Sequence, residues 1–161
     1  MSERPSFEEI YMAMAEMIAM RSTCKRLQVG TVITSMDFRK VLAVEYNGNA
    51  TGLANECDRA EPGNDGCCHS ELNAIANCDS ERSIKKIVFV THNPCIMCAK
   101  YLINMGNVTK VYYKNSYRDK SSIDLFRQVG IEIIDFSEVK LRGFPELASA
   151  TGYLTGAKTV P

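Results

Sequence analysis

Apolar residues recur at helical spacing near the start of the chain. Phe7, Ile10, Tyr11, Met14, Met17 and Ile18 fall on one face and predict an amphipathic helix from Phe7 to about Arg21. Ser6 and Glu9 occupy the two positions of a capping box, which sets the helix start. Met12, Met14, Met17 and Met20 are most simply core filler. Two β-branched runs, Val29 to Thr34 and Val41 to Tyr46, flank Met36-Asp37-Phe38-Arg39 and predict a hairpin.

A long stretch from Asn47 to Cys68, rich in Asn, Gly, Asp and Cys, interrupts the regular pattern. Its length and polarity mark it as functional or as ordered structure of its own. Helix and strand periods then alternate: a helix over Glu71–Ala76, a strand over Ile87–Thr91, a helix over Cys95–Met105 ending at Gly106, and a strand over Val108–Tyr113. A helix over Ser122–Val129, closed by Gly130, and a last strand over Ile131–Ile134 complete the series. This alternation predicts a layered α/β fold with parallel neighbours, opened by an antiparallel hairpin. After Asp135 the signals weaken to a short helix near Val139 and a Gly/Thr-rich tail expected to be mobile. No internal repeat is visible.

The 161 residues suit one domain spanning 1–161, with a core over about 6–135 and an extension over 136–161. Hydrophobic residues make up 45% and charged residues 24%, ordinary for a folded soluble protein. The 19 basic and 19 acidic residues cancel, and no Lys/Arg run exceeds Lys85-Lys86. Lacking a positive stripe, the chain is not expected to bind a polynucleotide. The polar start and the lack of a long apolar stretch predict a cytoplasmic protein, of its own organism or of an infected host cell, with no membrane partner. Seven cysteines, an odd number, then favour metal ligation or buried thiols over a disulfide framework.

The chemistry concentrates in His69-Ser70-Glu71 at one helix start and Pro94-Cys95-Ile96-Met97-Cys98 at another. Cysteines three apart on a helix share a face. With Asn93 as N-cap and Pro94 as first helical residue, Cys95 and Cys98 lie in the first turn, where the helix dipole favours thiolates. His69, Cys95 and Cys98 are three zinc donors, and a catalytic zinc site leaves its fourth position to water. Glu71, close to His69 in the chain, is the candidate proton carrier. A redox reading of Cys95-x-x-Cys98 leaves His69-x-Glu71 unexplained, and a structural zinc wants a fourth protein ligand.

These spacings, His-x-Glu followed by Pro-Cys-x-x-Cys, match the zinc-dependent nucleobase deaminases. The surrounding residues resemble the deoxycytidylate (dCMP) deaminases of that superfamily. The likeness runs through His69-Ser-Glu-Leu-Asn-Ala-Ile, Pro94-Cys-Ile-Met-Cys-Ala-Lys-Tyr-Leu-Ile-Asn-Met-Gly, Tyr46-Asn47-Gly48 and Arg21-Ser-Thr-Cys-Lys-Arg-Leu-Gln-Val-Gly, and covers roughly residues 6 to 135. Ser70 departs from the family's frequent Ala. The resemblance implies a three-layer α/β/α fold with a mixed sheet of about five strands. It also implies zinc-dependent hydrolysis of dCMP to dUMP and ammonia, feeding thymidylate synthesis. Free-cytidine deaminases usually carry Cys in place of His69, whereas tRNA adenosine deaminases share the His and are the rival activity. A non-catalytic nucleotide sensor on the same fold is a further alternative, with no need of Glu71.

Resemblance further implies that Arg26 and Ser22 meet the 5′-phosphate and that Asn47, Asn73 and Tyr117 line the substrate pocket. A solvated helix end, an Asn-Gly turn, a helix tie and a packing residue are the plain alternatives for Arg26, Asn47, Asn73 and Tyr117. Gly48, Asn49 and the loop after them are implied as an allosteric site for dCTP, an activator, and dTTP, an inhibitor, with Mg²⁺ on the triphosphate. A homohexamer is the implied assembly. Cys57, Cys67 and Cys68 stand open between a second, structural zinc, for which no convincing fourth ligand is visible, and plain packed thiols. Cys24, Cys78 and His92 read as structural, His92 also as a support for the metal turn.

Overall fold

A computed structural model describes residues 4–57, 59, 61 and 66–142. Among them nine elements follow in the order α1 (Phe7–Ala19), β1 (Gly30–Ser35), β2 (Val41–Tyr46), α2 (Ser70–Ala76), β3 (Lys86–His92), α3 (Ile96–Met105), β4 (Val108–Asn115), α4 (Ser121–Gln128) and β5 (Glu132–Asp135). Each matches a predicted element within a few residues. The expected helix near Val139 is instead a turn at Ser137–Glu138, where the Val139 amide donates to the Phe136 carbonyl at 3.1 Å. The Gly/Thr-rich tail lies outside the described residues, and no described helix is long and apolar enough to cross a membrane.

The five strands form one sheet in the order β2-β1-β3-β4-β5. β1 runs antiparallel to both β2 and β3, while β3–β4 and β4–β5 are parallel. Successive side chains of a strand face opposite sides, and both sides of this sheet are covered. Val32, Phe89 and Tyr112 pack with Tyr11, Met12 and Ala15 of α1. Ile33, Val88, Val90 and Val111 pack on the other face with Ala74 of α2, Ala99 and Leu102 of α3 and Phe126 of α4. The result is the expected three-layer α/β/α arrangement.

Two backbone positions fix how close the layers come. A Cβ on Gly30 would stand 2.0 Å from the Ala15 carbonyl oxygen, so only glycine lets β1 pass under α1 there. Gly106 ends α3 with φ 87°, a conformation that costs a side-chain-bearing residue strain.

The predicted capping box at the start of α1 is present. The Ser6 amide donates to Glu9 Oε2 at 2.7 Å, and the Glu9 amide donates to Ser6 Oγ at 3.2 Å. Glu9, only 4% exposed, also accepts from Arg142 at 2.9 and 3.1 Å, which ties the end of the described chain to α1. The Arg142 guanidinium and the Ser6 amide together hold the Glu9 carboxyl down to about 2 from its ordinary 4.5. A depressed carboxyl adds stability above its unfolded value and loses it as the pH falls through the folded one. Glu9→Gln should therefore cost about 1–2 kcal/mol near neutral pH. Denaturant melts of the two proteins should converge as the pH drops from about 4.5 to about 2.

Candidate active site

His69 and Cys95 are both N-cap residues. Their backbones are extended, with φ −68° and ψ 148° at His69 and φ −68° and ψ 166° at Cys95, so each side chain projects beyond its helix toward the other. Cys98 follows one turn into α3. His69 Nδ1 lies 3.6 Å from Cys95 Sγ and 3.3 Å from Cys98 Sγ, and the three donor atoms all lie within 4.8 Å of one another. Zinc bonds of about 2.3 Å to sulfur and about 2.0 Å to nitrogen in a tetrahedron require a nitrogen–sulfur separation of about 3.5 Å. The donors fit that ion in type and in spacing.

The cap lies two residues later than sequence spacing predicts. Cys95, not Asn93, is the N-cap, and its sulfur accepts from the Cys98 amide at 3.5 Å. Asn93 is recruited by a distant loop instead. Its Nδ2 donates to the Asp119 carbonyl at 2.9 Å, its own amide donates to the Asn115 carbonyl at 3.0 Å, and its Oδ1 accepts from the Tyr117 amide. Cys95 is held down to about 4, first by the Cys98 thiol and then by the imidazole. Cys98, buried and beside that thiolate, is pushed up. Zinc ligation needs both sulfurs as thiolates, so binding the metal releases protons.

Glu71 is buried, and burial pushes its carboxyl up. Its Oε2 accepts from Ser70 Oγ at 3.1 Å, and Ser70 Oγ in turn meets Thr31 Oγ1 at 2.7 Å. The hydroxyl at position 70, where the resembling family often has Ala, thus bonds the carboxylate directly. Sequence reading missed this chain because Thr31 and Ser70 stand on different elements, and only the fold brings them together.

These groups line a cavity of about 310 Å³. One wall comes from the segment before β1, with Cys24, Arg26, Leu27 and Val29, and from Asn47 at the end of β2. The other comes from the metal helices and from Tyr117 and Arg118 after β4. His92 also faces it; burial holds that imidazole down to about 4, and its Nδ1 lies 3.2 Å from Thr91 Oγ1.

Of the residues assigned to substrate by resemblance, Arg26, Asn47 and Tyr117 line this cavity, whereas Ser22 and Asn73 do not. Ser22 Oγ donates to the Asn47 carbonyl at 2.7 Å, and Asn73 Nδ2 donates to the Tyr46 carbonyl at 2.9 Å. Both brace the end of β2. The Asn47 amide is itself engaged: Oδ1 accepts from the Val29 amide at 2.8 Å, and Nδ2 donates to the Leu27 carbonyl at 2.8 Å. Gly48 pairs with Cys68 through two backbone bonds of 3.1 and 2.8 Å, and Asn49 Nδ2 donates to the Ala54 carbonyl at 3.0 Å. Neither Gly48 nor Asn49 lines the cavity.

The remaining cysteines depart from expectation. Cys57 and Cys67 are joined as a disulfide, with Cα atoms 5.1 Å apart, although composition argued against disulfides. The sulfur that joins them in one cluster is that of Cys24, on the distant segment before β1, and not that of Cys68.

Residues 5–115 match the family described as the cytidine and deoxycytidylate deaminase zinc-binding region. ComE operon protein 2 of Bacillus subtilis is 32% identical over 163 residues, covering 94% of this chain and 85% of that protein. The deoxycytidylate deaminase of Mycobacterium phage D29 is 34% identical over 128 residues, covering 70% of this chain and 98% of that one. Among solved structures, the dCMP deaminase of cyanophage S-TIM5, in complex with dCMP and dUMP, superposes with a TM-score of 0.74 at 34% identity, covering 83% of this chain and 98% of that one.

Cys95→Ser should bind zinc at least about tenfold more weakly than the parent protein. Zinc titration of the metal-free parent in weak buffer at pH 7 should release protons, and metal analysis with a pH-indicator dye reads both effects. With three donors of the right type at the right separations, a buried carboxylate beside them and a family match over most of its length, the chain belongs to the zinc-binding cytidine and deoxycytidylate deaminase family.

Proposed function

We propose that this protein converts dCMP to dUMP, consuming water and releasing ammonia. The observation that carries the reading is that buried Glu71 lines the same cavity as the metal donors His69 and Cys95, whose cluster with Cys98 has the three protein donors of a catalytic zinc site. The 34% identity to dCMP deaminases of two phages favours dCMP as the substrate.

Zinc, when bound by His69, Cys95 and Cys98, supplies the Lewis acidity that lowers the pKa of water to about 7. Glu71 does the proton work. Its carboxylate takes a proton from the attacking water and delivers it to ring N3 as oxygen bonds to C4. Glu71 then takes the remaining proton from the new C4 hydroxyl and passes it to the exocyclic nitrogen, the C4–N bond breaks as the C4 carbonyl forms, and ammonia leaves. Burial, which favours the protonated form of Glu71, lets the group hold a proton between these transfers. The Ser70 hydroxyl keeps the carboxylate oriented.

Around this core, Arg26, Asn47 and Tyr117 form the nucleotide wall, with Ser22 and Asn73 acting through the backbone at the end of β2. Gly48, Asn49 and the loop beyond them form the effector site for dCTP and dTTP, with Mg²⁺ on the triphosphate, in a homohexamer. Family resemblance supports this regulatory layer.

Purified zinc-loaded protein should release ammonia from dCMP and none from a tRNA anticodon stem-loop. Glu71→Gln should keep its zinc and lose about 10²- to 10⁴-fold in kcat. A Glu71→Gln protein as fast as the parent sinks the mechanism; ammonia from the stem-loop alone sinks the substrate assignment.

A further inference from the structure

We propose that Thr31 is a positioning residue for the deamination step, acting on Glu71 through the Ser70 hydroxyl; this rests on the dCMP reading above. Thr31 is fully buried in β1 and does not line the cavity. Strand alternation puts it on the same face as Ile33, the face on which Ala74 of α2 packs. Ser70 stands one turn before Ala74 and is fully buried as well, so its side chain meets the sheet there. Its Oγ lies 2.7 Å from Thr31 Oγ1 and 3.1 Å from Glu71 Oε2.

The direction of the two bonds follows from the last acceptor. An ionised carboxylate has no proton to give, so the single Ser70 proton goes to Glu71 Oε2. Ser70 Oγ then accepts, and Thr31 donates its own proton to it. A serine in the first turn of a helix has backbone groups within reach that compete for its hydroxyl. The bond from Thr31 holds Ser70 in the rotamer that reaches Glu71, and a hydroxyl that accepts one bond donates the next more strongly.

Packing alone does not call for a hydroxyl at this place. Valine has nearly the same shape and suits a strand as well, and burying a hydroxyl costs free energy unless it finds a partner. Among the described residues that partner is Ser70 Oγ. With Oε2 held, Oε1 of Glu71 is left to exchange protons with water, with ring N3 and with the exocyclic nitrogen in turn. A carboxylate that drifts from this position slows each transfer.

The test measures kcat, KM for dCMP and zinc content in zinc-loaded Thr31→Val, Ser70→Ala and the double variant. Thr31→Val should lose about three- to tenfold in kcat with KM and zinc content unchanged, and Thr31→Ser, which keeps the hydroxyl, should recover most of that loss. Ser70→Ala should lose about tenfold. Because Thr31 acts through Ser70, adding Thr31→Val to Ser70→Ala should lower kcat no further. A Thr31→Val protein with parental kcat overturns the role, and so does an equal fractional loss in both backgrounds. Thr31→Ala makes the same comparison should the valine variant not fold. Parental turnover of dCMP keeps the functional reading under either result at Thr31, whereas a parent that releases no ammonia from dCMP sinks that reading and this inference with it.

Discussion

Three side chains must meet at one point, and the sheet order is what makes them meet. β3 is the central strand with β1 beside it, and α2 and α3 lie together on one face of the sheet. The cap geometry of His69 and Cys95 then turns both donors outward into the same space. Small residues make the approach possible, for Ala74 and Ala99 are fully buried where the two helices face the sheet. A bulkier pair would push the helices apart and open the donor separations beyond what a tetrahedral ion tolerates. The apolar core on this face is therefore part of the metal site.

Burying a carboxylate next to thiolates is expensive unless each polar atom finds a partner. At Glu71 the Ser70 hydroxyl, itself bonded to Thr31, supplies a partner without adding charge. Elsewhere the chain meets the same constraint with full charges. Glu16 and Lys114 pair at 2.6 Å between α1 and β4, with both side chains nearly buried, and Lys86 Nζ donates to the carbonyls of Glu81 and Ile84 at 3.1 and 2.7 Å. Neutral partners suit a group that must change protonation state, because a fixed cation alongside would lock it as the anion. The two solutions separate the polar groups that hold the fold from the one that works.

Periodicity along the chain was enough to place the elements, because helix and strand periods and the Ser6/Glu9 box are local properties. The metal donors were equally legible, since each donor group sits within a few residues of a helix start. What escaped sequence reading was set by contacts between distant segments. Asn93 has the composition of an N-cap, yet the loop after β4 competes for its side-chain amide and wins two bonds. Ser22, Asn47 and Asn73 are spent on backbone groups around β2 and the segment before β1. Cys24 joins Cys57 and Cys67 only because that segment folds against the loop preceding α2.

Charge explains why the two ends of the cavity differ. Two thiolates and a divalent zinc ion sum to zero, so Glu71 is the remaining acid at the floor, and it is buried where screening is weak. A phosphate monoester brought close to that carboxylate would raise its pKa further and hold it protonated, unable to accept a proton from water. The cationic side chains of the cavity stand on other segments: Arg26 ahead of β1 and Arg118 after β4. A nucleotide whose phosphate stays away from Glu71 brings only its uncharged base beside the carboxylate, which then keeps the freedom to exchange protons that deamination demands.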